Sequence, residues 1–281
     1  MDILFETMLW VGTFFLLLGY FSERKKHLLR TYGYILLGIF WVGVVPYYLA
    51  INDYFNAVLS FLALPLFAYF GYNEYLSKKW EEDPEVMRFL AGGISIATLI
   101  YFGVQRIPLL TGFLVRIVTE HTVFFTDLLG YDFTVGLIDY NGNPSLYRVN
   151  YEPIRVSVKG SNPRISIILA CTGLQVMAAA TGLIASTKAK LKPKIISLLV
   201  VLPAVYIANV ARNVMILFLT NEGIVSFEVA HNEIAKTGSV IVLIVLLLIV
   251  FEIMPKFYDN IINVVKLPKR EPIHQKQQEE S

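Results

Sequence analysis

The chain has 281 residues, of which 56% are hydrophobic and 16% charged, with a net charge of +2 and a mean hydropathy of +0.58. Soluble domains average about 45–50% apolar and about 25% charged residues, so this composition excludes the water-soluble classes, and disordered and collagenous chains with them. The near-neutral charge supplies no basic field to gather a polyanion, so nucleic acid is not an expected partner.

A helix needs roughly 20 mainly apolar residues to cross the hydrocarbon layer. Windows of that kind predict spans over about 3–21, 32–51, 54–76 and 88–105, then over 164–186, 195–219 and 229–254. The first window is followed, not preceded, by its basic cluster and shows no small-residue cleavage site, so it reads as a span and not as a signal peptide.

Lys and Arg gather in cytoplasmic loops. Residues 22–30, 77–88, 187–194 and the tail from 255 hold sixteen of the 24 basic residues, while the alternate connections near 51–53 and 220–230 hold none. This pattern places the N-terminus outside and the C-terminus in the cytoplasm.

Residues 106–130 are long enough to cross, but Arg116, Glu120, His121 and Asp127 interrupt them. Counting them as an eighth span would invert every later loop against the basic pattern. The segment is therefore expected to be an amphipathic helix, at the outer interface or packed in the bundle. Residues 131–162 contain the strand-like runs FTVGLIDY, SLYRVNY and IRVSV, with the turn signals NGNP and GSNP. They predict a small β-like extracellular cap. The expected fold is an all-α integral membrane bundle of seven or eight helices carrying that cap. It divides into N-terminal helices over 1–130, the cap over 131–162, a three-helix region over 163–256 and a polar cytoplasmic tail over 257–281. No inverted repeat of the transporter kind is evident.

Ionisable and polar side chains inside a membrane bundle are costly, and they point to function. The span at 164–186 reads as a helix capped by Ser161 or Asn162, with Pro163 at its first position. It carries Cys171, the only cysteine of the chain, with Thr172 beside it and Gln175 one turn on. A lone cysteine forms no internal disulfide, and taken alone it reads as a small packing hydrophobe.

The span at 195–219 carries Asn209, Arg212 and Asn213 at i, i+3 and i+4, on one face. Lipid would satisfy none of these groups, so the face is expected to turn inward. The span at 229–254 opens with His231. Counted from the outer surface, Cys171 lies roughly 12 Å deep and Arg212 roughly 11 Å, with His231 near the same side. A thiol, a guanidinium and an imidazole are then expected to meet in the outer leaflet. That set suits nucleophilic catalysis: the thiolate attacks, a nearby cation or base activates it, and a fixed guanidinium binds the developing oxyanion.

LACTGLQVMA around Cys171, NVARN around Arg212 and SFEVAHNEIAKTGS around His231 resemble the exosortase/archaeosortase family. The resemblance covers most of residues 160–254. It implies a membrane-embedded cysteine transpeptidase acting on exported proteins with a C-terminal tripartite signal: a Pro-Gly-Phe type motif, a hydrophobic helix and a basic cluster. The new C-terminus would pass through a thioester to a membrane lipid, and S-layer glycoproteins are typical clients. It also implies catalytic roles for Cys171, Arg212 and His231, with His231 or another group as general base. Thr172, Gln175, Asn209 and Asn213 are expected to support the site or bind substrate.

Within enzymes the alternative is a hydrolytic intramembrane cysteine protease. Outside them it is a transporter or lipid-binding protein in which Asn209, Arg212 and Asn213 hold an anionic headgroup. No metal or cofactor is expected: His27, His121, His231 and His274 are scattered, and the chain lacks His-Glu-x-x-His.

Overall fold

The computed structural model describes residues 3–135, 153–156 and 164–272. Its helices are α1 (Ile3–Phe21), α2 (Lys26–Ala50), α3 (Tyr54–Lys79), α4 (Glu85–Arg106), α5 (Pro108–Leu128), α6 (Leu174–Ser186), α7 (Leu191–Asn221), α8 (Phe227–Ile253) and α9 (Pro255–Lys266). Among the described residues seven are long and apolar enough to cross a membrane: α1 to α5, α7 and α8. That agrees with a multi-span helical membrane protein.

Two expectations, the helix from 164 and the β-like cap, are corrected in detail. The segment from 164 is not helical until Leu174. Arg164–Ser166 is extended, a single 3-10 turn covers Leu169–Thr172, and Gly173 adopts φ +77° before α6 begins. Ile165, Ile167 and Ile168 are β-branched and favour extended backbone, while a left-handed residue ends one helical segment and admits another. The remaining α6 has 13 residues, about 20 Å of helix. The capping roles expected for Ser161, Asn162 and Pro163 lie outside the described residues.

Residues 108–128 do form a helix that meets the length and composition of a span. Its buried stripe of Thr111, Val115, Val118, Thr122 and Thr126 shows that α5 packs within the bundle. The β-like cap is not supported as a folded element. Only short strands are described, Phe133–Val135, Pro153–Val156 and Arg164–Ser166, paired antiparallel in that order, and the intervening residues lie outside the described set.

Contacts divide the chain into two units. The first comprises the chain up to Leu99, Thr181–Lys190 and the chain from Met254. Here α2 packs on both α1 and α3. Charges of the basic stretch at 22–30 fold inward: Arg30 is 1% exposed and donates to the Gly19 carbonyl, to Glu74 and to Asp83. Glu74 is fully buried and also meets His27 at 2.8 Å, so each buried charge has a partner. Gly182 lets α6 approach α4, since a Cβ there would collide with the Gly93 carbonyl. The start of the expected tail is helical, with Phe257 buried and the Arg270 guanidinium stacked on Trp80.

The second unit comprises Ile100–Ala180 and Leu191–Ile253. Its core gathers Val115, Val118, Phe133, Ile167, Leu169, Leu174 and Leu217 around the turn that carries Cys171. Tyr131 stacks on Phe133 and meets Phe218 edge-on. This core positions the candidate site.

Candidate active site

Cys171 sits in the 3-10 turn between extended backbone and α6, not inside a long helix. Its amide donates to the Ile168 carbonyl at 2.8 Å, which closes the turn. Its own carbonyl accepts two side-chain amides from α7, one from Asn209 and one from Asn213 at 3.1 Å. A turn carbonyl has no helical partner, and both amides turn towards it because Asn209 and Asn213 lie one turn apart on a single face. Gly173 completes the clamp. A Cβ at that position would lie 3.3 Å from both Cβ and Cγ of Asn209.

Arg212 shares that face of α7, nine residues before the helix end. His231 enters from α8 by a local irregularity. Ser226 caps the first turn, its hydroxyl accepting from the Val229 amide, and Ala230–Ile234 then widens into a π-helical stretch. Such stretches are rare and concentrate at functional sites. The His231 ring stacks on Phe227 at 5.3 Å between centroids, and its Nδ1 lies 3.2 Å from Oδ1 of Asn232.

Cys171, Arg212 and His231 line one cavity of about 30 Å³, walled by Ile165, Ile167, Asn213, Ile216, Leu217 and Phe227. That volume is of the order of one water molecule. Residues bearing a thiol, a guanidinium and an imidazole therefore border one small, mostly apolar cavity. These are the side-chain types that cysteine-based acyl transfer draws on: a thiol, a cation and a ring able to carry a proton.

The expected supporting residues divide. Asn209 and Asn213 hold the Cys171 backbone. Thr172 is 1% exposed and faces away: its hydroxyl donates to the Leu169 carbonyl and accepts from the Leu174 amide. Gln175 donates to the Tyr101 hydroxyl at 3.1 Å, which ties α6 to α4. Neither lines the cavity. Phe227, whose ring orients His231, was not singled out from the sequence; its position one turn before a histidine was the available signal. His121 lies apart from the cavity, against the Tyr206 hydroxyl at 2.6 Å. Among the described residues no group of three His, Cys, Asp or Glu side chains could hold a metal ion.

The description "Transmembrane exosortase (Exosortase_EpsH)" belongs to a family whose profile matches residues 5–251. Two curated relatives carry the name Archaeosortase A. The protein from Haloferax volcanii is 25% identical over 198 residues, covering 66% of this chain and 60% of its own length. The protein from Natronomonas pharaonis is 22% identical over 281 residues, covering 90% of this chain and 86% of its own. This chain thus spans less than two thirds of the first relative and most of the second. No solved structure matches it.

Proposed function

The chain is a member of the transmembrane exosortase family, and from that membership we propose that it is a membrane-embedded cysteine transpeptidase that processes exported proteins. The observation that carries the reading is the convergence of Cys171, Arg212 and His231, from three separate elements, on one small cavity. An inert packing cysteine needs no guanidinium and no imidazole beside it.

In the proposed reaction the Cys171 thiolate attacks a peptide carbonyl near the client's C-terminal hydrophobic helix. A C–S bond forms, and the oxyanion is held by the Arg212 guanidinium. The C–N bond then breaks as His231, which holds the proton given up by the Cys171 thiol, passes it to the departing amine. The thioester is resolved by a nucleophilic group on a membrane lipid. That group attacks the carbonyl, the C–S bond breaks to return the thiolate, and the nucleophile's proton passes to His231. Asn209 and Asn213 fix the backbone of the nucleophile through both steps. The apolar wall of the cavity limits water, which would otherwise hydrolyse the thioester.

The site is proposed to face the outside, with the C-terminus in the cytoplasm. The distribution of basic loops supports this orientation. Clients would carry the family's tripartite signal, a short motif of Pro-Gly-Phe type followed by a hydrophobic helix and a basic cluster.

Replacing Cys171 with alanine tests the reading. Mass spectrometry of a client's C-terminus should then show the full-length signal, where the unaltered enzyme gives a lipid-linked end. Normal processing by the variant would sink the proposal, and a free carboxylate from the unaltered enzyme would assign hydrolysis in place of transfer.

A further inference from the structure

A second cavity opens beside the first. It lies between α7 and α8, holds about 360 Å³, and is walled by Val205, Ala208, Met215, Gly238, Leu243 and Leu246 among others. Its lining is almost wholly apolar, and Arg212 belongs to both cavities. Among the described residues no carboxylate pairs with Arg212. A cation at the head of an apolar groove, one cavity away from the thiol, matches an amphiphile with an anionic head and a hydrocarbon body.

Charge selects among such bodies. A client's signal helix is apolar and followed by a basic cluster, so it brings no anion to Arg212, whereas a phospholipid brings a phosphate beside its hydrocarbon. The small side chains along the groove, Ala208, Ala211, Ala235 and Gly238, leave that room open.

We propose that this groove binds one hydrocarbon chain of a phospholipid whose anionic headgroup is held by Arg212. This deepens the transpeptidase reading, because the bound lipid is then the acceptor, presented beside the thioester on Cys171. Occupancy of the groove is testable without that reading.

Gly238 provides the handle. It lines the groove, and a Cβ added there meets nothing within 4 Å. Gly238→Leu therefore fills the groove, and in a helix interior the change from glycine favours folding. The experiment uses the full chain in nanodiscs with phosphatidylglycerol carrying a diazirine in one chain, crosslinked by light and mapped by mass spectrometry. The label should fall on α7 and α8 residues of the groove and drop at least about tenfold in Gly238→Leu. The unaltered protein should take this lipid in preference to a diazirine diacylglycerol, which lacks the phosphate, and Arg212→Gln should abolish that preference.

Unchanged labelling in Gly238→Leu, labels mapped outside the groove, or equal labelling by the diacylglycerol would overturn the proposal. So would a Gly238→Leu variant that loses crosslinks from a diazirine-bearing client signal helix while keeping the lipid label. Cys171→Ala should keep the lipid label whole. If that variant also processes clients normally, the transpeptidase reading fails while the lipid site stands.

Discussion

The side-chain amide of Asn213 donates to the main-chain carbonyl of Cys171 at 3.1 Å, joining residues 42 positions apart. Asn209 donates to the same oxygen from one turn earlier. The candidate nucleophile is thereby fixed through its backbone, at the edge of the cavity that Arg212 and His231 also line. Removing one amide costs about 1 kcal/mol of stability and loosens the turn. We expect Asn213→Ala to slow client cleavage by about ten- to a hundredfold, since small misplacements of a reacting group are costly. Because both amides serve one acceptor, the double replacement with Asn209→Ala should fall short of the product of the single effects. Single-turnover client cleavage by the three variants measures this.

Gly173 holds φ +77° immediately after the Cys171 turn, with Asn209 packed against it. Any other residue is strained there, by about 1–2 kcal/mol, and its Cβ would press on Asn209. Gly173→Ala should lower the thermal unfolding midpoint in detergent and reduce client cleavage at least as much as Asn209→Ala does. Unaltered cleavage in Gly173→Ala would show that the turn's geometry does not matter to the site.

The spans α1 to α4, α7 and α8 were legible because each is an apolar run long enough to cross. Cys171, Arg212 and His231 do border one cavity, although the helical rise used to count Cys171 inward does not apply to the extended backbone before it. The backbone around Cys171 was not legible. Hydropathy is the same for an extended apolar segment buried in a bundle as for a helix, so Ile165 to Ile168 merged with α6 in the count. The β-branched residues and Gly173 were the signal that separates them. Spacing put Asn209, Arg212 and Asn213 on one face but could not give their partners, and it could not tell that Thr172 turns away to the Leu169 carbonyl. Counting loop charges signed the loop at 22–30 but could not show that Glu74 from α3 and Asp83 from the next turn draw Lys26 and Arg30 inward.

That inward network makes stability depend on pH. Partial burial of Asp83 raises the affinity of its carboxyl for a proton, but the hydrogen bond from Lys26 and the nearby Arg30 guanidinium outweigh it, and the pKa lies below its ordinary 3.8. A lowered native value means that the unfolded chain binds the proton more readily. The stabilisation is therefore complete above about pH 4 and is lost as pH falls through the lowered value. Thermal unfolding of the intact protein should show a midpoint that declines on acidification below pH 4. Asp83→Asn should lower the midpoint near neutrality and flatten the decline; an unchanged acid profile would contradict the assignment.

The central claim is that Cys171 carries the client as a thioester. The chain contains a single cysteine, so a thioester has one place to form. The most direct measurement is the mass of the enzyme quenched in acid during turnover of a client. The account predicts an added mass equal to the client without its C-terminal helix, located on the Cys171 peptide and released by neutral hydroxylamine. An enzyme that cleaves its client with no such adduct at any time, or with one on another residue, would contradict it.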